Sequence, residues 1–240
     1  MRQSNLYIIL YSAAITVVCG GLLAFASISL RDKQQANIEH ERKQNILATV
    51  IELKEGDNVE QIYATRVKEI VIDFQGNNQA VKASSIDIAK EYKKKPEERL
   101  LPVYEFRSET DSSKVENAVI PVYGYGLWNN IWGFVALQSD LNTVQGVKFE
   151  HAGETPGLGA RITSEDIQLR YKGKKVFEGN DIPSVVMMKG EGMDYTNDTH
   201  KVDGMSGATL TAKGVNNMLK DYFACYKNYL KKNSQISLSL

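Results

Sequence analysis

The segment from Asp203 to Thr209, with the sequence DGMSGAT, brings two hydroxyl groups and two glycines to the start of a predicted helix. From Val215 onward, apolar residues recur at steps of three and four, which predicts an amphipathic helix. Thr209 therefore lies at or just before the helix start. Unpaired amides and the positive dipole end there favour an anion, and glycine lets a phosphate approach the backbone closely. The segment is a candidate phosphate site.

A helix cap is the competing interpretation of the same residues. Serine, threonine and glycine are also the residues that helix N-termini prefer, so the local pattern alone leaves both interpretations open. Lys213, four residues after Thr209, falls on the same side of the helix. It either offsets the charge of a bound phosphate or is an ordinary surface lysine.

A second candidate segment, Glu154 to Arg161, has the sequence ETPGLGAR and follows a predicted strand that ends near Phe149. Its Pro-Gly pair is a common turn signal, so a plain loop is the alternative. A third segment, GYGLW at 124–128, is followed by IWGF at 131–134. Trp128 and Trp132 are candidate stacking partners for a flat ring, although a tryptophan beside a strand is more often part of a core.

Taken together and in this order, the three segments resemble the covalent FMN-binding domain of flavin-carrying subunits in bacterial respiratory complexes. In that family a flavin transferase esterifies the phosphate of FMN to the threonine of a segment like DGMSGAT. The resemblance implies that Thr209 carries FMN through a phosphodiester. It also implies an FMN site made of Ser206, Gly207, Ala208, Glu154, Thr155, Gly157, Leu158, Gly159, Lys213 and Trp128.

Each part of the implied site has a physical task. An isoalloxazine ring needs apolar walls and backbone donors, which Leu158 and the peptides of 155–159 supply. Because a carboxylate repels a neighbouring phosphate, Asp203 is assigned instead to loop geometry or to recognition by the modifying enzyme, with a metal ion mediating. No residue is assigned a catalytic role, and none a resident metal.

Within this family the chain is most similar to the C-type subunits of the sodium-translocating NADH:quinone oxidoreductases. That resemblance implies a relay of electrons from NADH towards a membrane quinone, coupled to sodium export, with the other subunits and a flavin transferase as partners. The alternatives are the related G-type subunit of ferredoxin:NAD oxidoreductase complexes and a free-standing membrane-anchored flavoprotein carrier. A non-redox periplasmic scaffold domain is a further alternative.

Composition narrows the function classes. The 29 acidic and 29 basic residues balance, and no basic block interleaved with aromatics occurs, which argues against a nucleic-acid partner. The three histidines are dispersed, without cysteine at zinc spacing. No Walker loop, nucleophile elbow or dinucleotide GxGxxG is present, so we expect no NADH site in this chain. The two cysteines, in the apolar N-terminal run and on the final helix, form no disulfide framework.

The stretch from Leu6 to Leu30 contains no charged residue and, as a helix, spans about 37 Å, enough to cross a bilayer core. A cleaved signal peptide is the alternative, since Arg2 precedes the run and 24–26 resembles a cleavage site. The anchor is preferred because the run exceeds a signal core in length. Four basic residues follow the run, which by itself places the bulk of the chain inside. The family resemblance implies the opposite: a single-pass protein of the bacterial inner membrane with its soluble domain on the outer side, anchored in lipid through 6–30.

The predicted fold is α+β, because short β-branched or aromatic segments follow one another without intervening helices and favour antiparallel pairing. A helix or stalk is predicted from Arg31 to about Lys54, and another helix around 85–94. Four parts are expected: a membrane anchor at 1–33, an N-terminal stalk and lobe at 34–115, an FMN-binding domain at 116–232 and a tail at 233–240. The predicted strands are Ile70–Phe74, Leu101–Phe106, Val119–Tyr123, Trp132–Leu137, Val144–Phe149 and Ile167–Tyr171.

Overall fold

The computed structural model describes residues 4–108, 114–179 and 181–237. Arg2 and the last three residues of the predicted tail therefore lie outside the described residues. The chain divides into two compact units, residues 1–43 and 44–240.

The first unit consists of most of helix α1, Asn5–Ala48, which has 44 residues. It is the one described helix that is long and apolar enough to cross a membrane. The apolar run and the polar stalk predicted after it form one continuous helix, because no glycine or proline interrupts residues 31–48. Ile46 and Leu47, at its end, are fully buried within the second unit.

The second unit is built on a six-stranded sheet in which every pairing is antiparallel, so the predicted α+β class is confirmed. The spatial order is β2-β1-β3-β4-β5-β6. The strands are β1 Val67–Ile72, β2 Asn78–Gln79, β3 Leu101–Arg107, β4 Val115–Tyr125, β5 Asn130–Leu137 and β6 Val144–His151. A separate parallel pair, β7 Val186–Met187 and β8 Lys201–Val202, lies between the sheet and the last helix in sequence.

Both faces of the sheet are covered at its centre, which explains the nearly continuous burial of the apolar residues of β3 and β4. On one face Val103 and Ile120 belong to a large core that includes the last helix. On the other face, Phe106 and Val119 pack in a second core with Ile46 and residues of helix α2, Val59–Arg66. The remaining short helices are α3 Ile88–Tyr92 and α4 Glu165–Leu169.

Helix α5, Thr209–Ser237, is the predicted amphipathic helix. Its residues Val215, Leu219 and Phe223 are at most 1% exposed, in agreement with the periodicity. The helix lies close to β4: a β-carbon added to Gly124 would approach the Met218 β-carbon to 2.9 Å. It also continues through residues 233–237, for which the sequence predicts a tail.

One predicted strand is wrong. Residues 167–171 lie in and just after helix α4, not in a strand. The alternation of Ile167, Leu169 and Tyr171 indicated a strand, but Leu169 is 57% exposed while Ile167 and Tyr171 are fully buried. Burial four residues apart is helical spacing, and Ser164 precedes two acidic residues that favour a helix start.

The helix predicted around 85–94 is shorter than expected. A 3-10 turn at Ala83–Ser85 is separated from helix α3 by Ile86 and Asp87. The Asp87 carboxylate caps α3 by accepting from the amides of Ala89 and Lys90. The expected boundary near residue 115 coincides with the start of β4, and strands on both sides of it share one sheet. The division into four parts remains a proposal.

Candidate functional site

Two of the singled-out loops leave the sheet at the same end. The turn between β4 and β5 contains the GLW residues and is closed by a hydrogen bond from the Gly126 amide to the Asn129 carbonyl, 2.9 Å. Strand β6 ends at His151, which pairs with Ile131 at the start of β5. The segment ETPGLGAR therefore begins directly beside the GLW turn, because antiparallel neighbours bring these chain ends together.

The DGMSGAT segment meets these loops at a cleft of about 200 Å³. The cleft thus joins three segments that are far apart in sequence. It is lined by Leu127, Glu154, Thr155, Leu158, Gly159, Gly207, Ala208, Thr209, Leu210 and Thr211.

Thr209 is the first residue of α5, as the sequence predicts. The Ala208 carbonyl accepts from the Ala212 amide at 2.9 Å, which begins the hydrogen-bond ladder of the helix. Gly207, with φ of +73°, turns the chain into the helix in the left-handed region that favours glycine. Thr209 is exposed. Its hydroxyl therefore lies at the end of α5 where the first amides have no partner within the helix.

The Glu154 side chain connects the loops of the cleft to helix α5. Its Oε2 accepts from the Thr211 hydroxyl at 2.6 Å, and its Oε1 accepts from the Trp128 amide at 2.9 Å. The side chain is only 4% exposed. Burial by itself raises the pKa of this carboxyl, but the hydroxyl of Thr211 and the amides of Trp128 and Asn129 hold it below its ordinary value. Glu154 is therefore ionised at neutral pH, and its hydrogen bonds link the GLW turn to α5.

Gly126 and Gly159 pack closely against the Glu154 side chain. A β-carbon on Gly159 would collide with the Thr211 hydroxyl and the Glu154 carboxylate, and one on Gly126 would collide with the same carboxylate. Glycine at these two positions leaves the space that the Glu154 carboxylate occupies, and at Gly159 it also lets the loop contact Thr211 of α5.

Apolar side chains surround the mouth of the cleft. Leu127 and Leu158 are 45% and 41% exposed, and Leu210 is 58% exposed. Trp128 is 70% exposed, and its indole Nε1 donates to Thr155 Oγ1 at 3.1 Å, which holds the ring against the ETPGLGAR loop. Trp132 lies within β5 and is half-buried. The surface beside Thr209 is thus unusually apolar for exposed loops.

The structure separates the predicted site residues into two groups. Seven line the cleft, whereas Ser206, Gly157, Lys213 and Trp128 lie outside its lining. Lys213 is exposed one turn after Thr209. The lining residues Leu127, Leu210 and Thr211 were not singled out from the sequence. Thr211 carried no signal because it reads as an ordinary position in the first turn of a helix.

Asp203 follows β8 and is bonded to the loop between β7 and β8. Its Oδ2 accepts from the Gly192 amide at 2.8 Å and its Oδ1 from the Met193 amide at 3.1 Å. The Arg170 guanidinium lies 3.4 Å from Oδ2 and also donates to the Gly204 carbonyl. This carboxylate ties the start of DGMSGAT to the backbone at Gly192 and Met193.

Comparison with known proteins agrees with this geometry. Residues 126–224 match the family model of the FMN-binding domain, a range that includes the GLW turn, ETPGLGAR, DGMSGAT and the first half of α5. The NqrC protein of the Na(+)-translocating NADH-quinone reductase of Haemophilus ducreyi is 32% identical over 87% of this chain and 86% of its own length. The chain belongs to the NqrC family of Na+-translocating NADH-quinone reductase subunits.

Other members of this family agree in sequence and fold. The NqrC protein of Vibrio anguillarum is 34% identical over 84% of each chain. The crystal structure of the family member from Parabacteroides distasonis matches with a TM-score of 0.72 and 30% identity, covering 84% of this chain and 96% of that one. The crystal structure of Shewanella oneidensis NqrC also gives a TM-score of 0.72, at 27% identity over 83% and 99% of the chains.

Membership confirms the resemblance drawn from the sequence. The chain is a subunit of a Na+-translocating NADH-quinone reductase, it contains an FMN-binding domain, and the other subunits of that complex are its partners. Its N-terminal helix is consistent with a single-pass membrane protein.

The described residues also fit FMN in chemistry. The cleft offers a helix N-terminus for a phosphate, a glycine with positive φ beside it and leucine side chains at its mouth for a flat ring.

Proposed function

We propose that this protein holds FMN covalently, through a phosphoester to Thr209, and relays electrons within the complex from NADH towards membrane quinone. The observation that carries the proposal is the placement of Thr209. It is an exposed residue at the positive end of α5, on the same cleft as the Glu154–Gly159 loop.

The residues of the cleft divide the binding task. The first-turn amides of α5 and the backbone at Gly207 suit the phosphate, because they present donors and a close approach. Leu127 and Leu158 suit the apolar part of the ring, and the peptides of 155–159 supply donors and acceptors to its edge. Glu154 holds these groups in place through Thr211 and Trp128. FMN, when bound, supplies the electron-transfer chemistry.

Attachment requires a flavin transferase. The new bond joins Thr209 Oγ1 to the phosphorus of the flavin, while the hydroxyl proton and the group that the phosphorus carried in the transferase's flavin substrate leave. Lys213 lies one turn further along α5, where its charge offsets that of the phosphodiester. Asp203 acts by fixing the backbone conformation of the segment that contains residues 206–209.

The membrane arrangement belongs to the same proposal. Residues 6–30 anchor the protein in the inner membrane of a bacterium, and the FMN domain lies on the outer side. Family resemblance supports this side, and the basic residues after the anchor argue against it. Sodium export is a property of the whole complex, to which this protein contributes one electron carrier.

Replacing Thr209 tests the proposal. Thr209→Val keeps the shape of the side chain but removes the oxygen that forms the ester, so covalent flavin fluorescence in a denaturing gel is expected to vanish. Thr209→Ser keeps the oxygen and is expected to retain some flavin. Fluorescence that persists in Thr209→Val would refute the assignment.

A further inference from the structure

Glu191 lies in the loop between β7 and β8, outside the cleft lining. It directly contacts DGMSGAT, residues 203–209, which we call the attachment segment. Its Oε2 accepts a hydrogen bond from the backbone amide of Ser206 at 3.0 Å. Ser206 is followed by Gly207, where the backbone turns, and then by the first residues of α5. The carboxylate therefore holds the chain three residues before Thr209.

Two arginines hold Glu191 in turn. Arg161 binds it through two hydrogen bonds, of 2.9 Å to Oε2 and 2.6 Å to Oε1. Arg170 donates to Oε1 at 3.1 Å. A two-pronged guanidinium contact fixes the orientation of a carboxylate as well as its position. The hydrogen bonds of Arg161, together with the Ser206 amide and Arg170, hold the pKa of Glu191 far below its ordinary value.

One arginine belongs to a segment that lines the cleft, and the other contacts DGMSGAT directly. Arg161 ends the ETPGLGAR segment, and Arg170 follows α4 and donates to the backbone carbonyls of Asp203 and Gly204. Glu191 thus links the Glu154–Gly159 loop to the attachment segment on one side. Glu154, through Thr211, links them on the other. The backbone around Thr209 is held between two carboxylates.

Building on the proposed function, we propose that Glu191 is a positioning residue for flavin attachment. By accepting from the Ser206 amide, it fixes residues 204–208 in the conformation that presents the Thr209 hydroxyl to the flavin transferase. Arg161 and Arg170 keep the carboxylate aimed at that amide. Glu191 touches neither the flavin nor the reacting oxygen in this arrangement, and it acts through the backbone.

A matched pair of variants isolates the acceptor. Glu191→Gln keeps the length of the side chain and one oxygen that can accept from Ser206, whereas Glu191→Met keeps the length and has no strong acceptor. Glu116→Met is the control, because Glu116 pairs with Arg66 at 2.8 Å near the start of β4, at the other end of that strand from the GLW turn. All are made in the full chain, purified in detergent without flavin.

Two measurements are made on each variant. The rate of covalent flavin incorporation by the host's flavin transferase is followed by in-gel fluorescence. The exchange rate of backbone amides in a peptide containing Ser206 is followed by mass spectrometry. We expect Glu191→Met to load at least about tenfold more slowly than the unchanged chain, which corresponds to about 1.4 kcal/mol. In Glu191→Met we also expect faster amide exchange in that peptide than in the unchanged chain. Glu191→Gln is expected to have an exchange rate between those two, and Glu116→Met is expected to take up flavin at the normal rate.

The results separate this proposal from the proposed function. Loading of Glu191→Met at the normal rate, or equal slowing of the Gln and Met variants in step with their melting temperatures, would overturn the role of Glu191 while leaving Thr209 as the flavin site. If the unchanged chain takes up no flavin on Thr209, the proposed function fails. The amide exchange then still decides whether Glu191 fixes the Ser206 segment, and equal exchange in the Gln and Met variants would refute it.

Discussion

The Thr211 hydroxyl lies 2.6 Å from Glu154 Oε2, so a residue in the first turn of the last helix is bonded directly to the first residue of the ETPGLGAR loop. Both side chains are almost completely buried, at 1% and 4% exposure. The bond joins positions 57 residues apart in sequence and closes the floor of the cleft beside Thr209.

Removing this hydroxyl tests its contribution to stability. Thr211→Val keeps the shape of the side chain but leaves Glu154 with one donor fewer in a buried place. We expect the free energy of unfolding of the soluble part to fall by about 1–3 kcal/mol, measured by denaturant titration. Thr65→Val is the control, because Thr65 is exposed and its hydroxyl donates to the Gln61 and Ile62 carbonyls of its own helix. An equal fall in the free energy of unfolding for the two variants would contradict a stabilising role for the Thr211–Glu154 hydrogen bond.

The same pair predicts a dependence on pH. Because the pKa of Glu154 is lowered in the folded state, its contribution to stability is present above the unfolded value of about 4.3 and is lost as the pH falls through the folded value. Thr211→Val removes one cause of that lowering. The stability difference between the unchanged chain and Thr211→Val is therefore expected to be largest near neutral pH and to narrow below about pH 4.3. A difference that does not narrow as the pH falls from neutral through the acid range, while the domain stays folded, would contradict a role for the ionised carboxylate of Glu154.

Asp203 offers a test of loop geometry. Asp203→Ala removes the acceptors for the Gly192 and Met193 amides, so the backbone that leads to Ser206 loses its support. We expect covalent flavin incorporation to be abolished, with the circular dichroism spectrum of the domain retained. Asp203→Asn keeps one acceptor and is expected to load partially. Normal flavin incorporation in Asp203→Ala would show that this residue is not needed for flavin attachment.

Two glycines form a matched pair at the cleft. Gly207 and Gly157 have φ of +73° and +74°, so an alanine at either position carries the same backbone penalty, about 1–2 kcal/mol. A β-carbon at Gly207 would also come within 2.8 Å of Leu158 Cδ2, whereas one at Gly157 has no neighbour within 4 Å. Both variants should melt at lower temperature. Only Gly207→Ala is expected to lose flavin incorporation beyond what its melting point explains, and equal loading of the two would contradict the close contact at Leu158.

The regular elements were predictable from the sequence where burial is periodic. Helix α5 follows from its apolar positions at steps of three and four, and the sheet follows from short runs such as Leu101–Phe106 and Trp132–Leu137. The strand predicted at Ile167–Tyr171 failed because alternation in a five-residue segment is compatible with helical burial at its two ends. Tertiary contacts, and not local propensity, decided that segment.

The site was predictable in part. The helix start at Thr209 follows from local physics, while the pairing of DGMSGAT with ETPGLGAR came from family resemblance, since nothing local relates segments so far apart. Thr211 and Glu191 were not found from the sequence. Their roles arise from partners 57 and 15 residues away, Glu154 and Ser206, and become visible only in the fold.

The central claim is a covalent bond between FMN and one threonine. Its most direct measurement is the intact mass of the protein purified from the membranes of its native host, followed by peptide mapping. The account predicts a mass increase of one FMN residue, carried by the peptide that contains Thr209. A peptide with unmodified Thr209, together with flavin located elsewhere or absent, would contradict it.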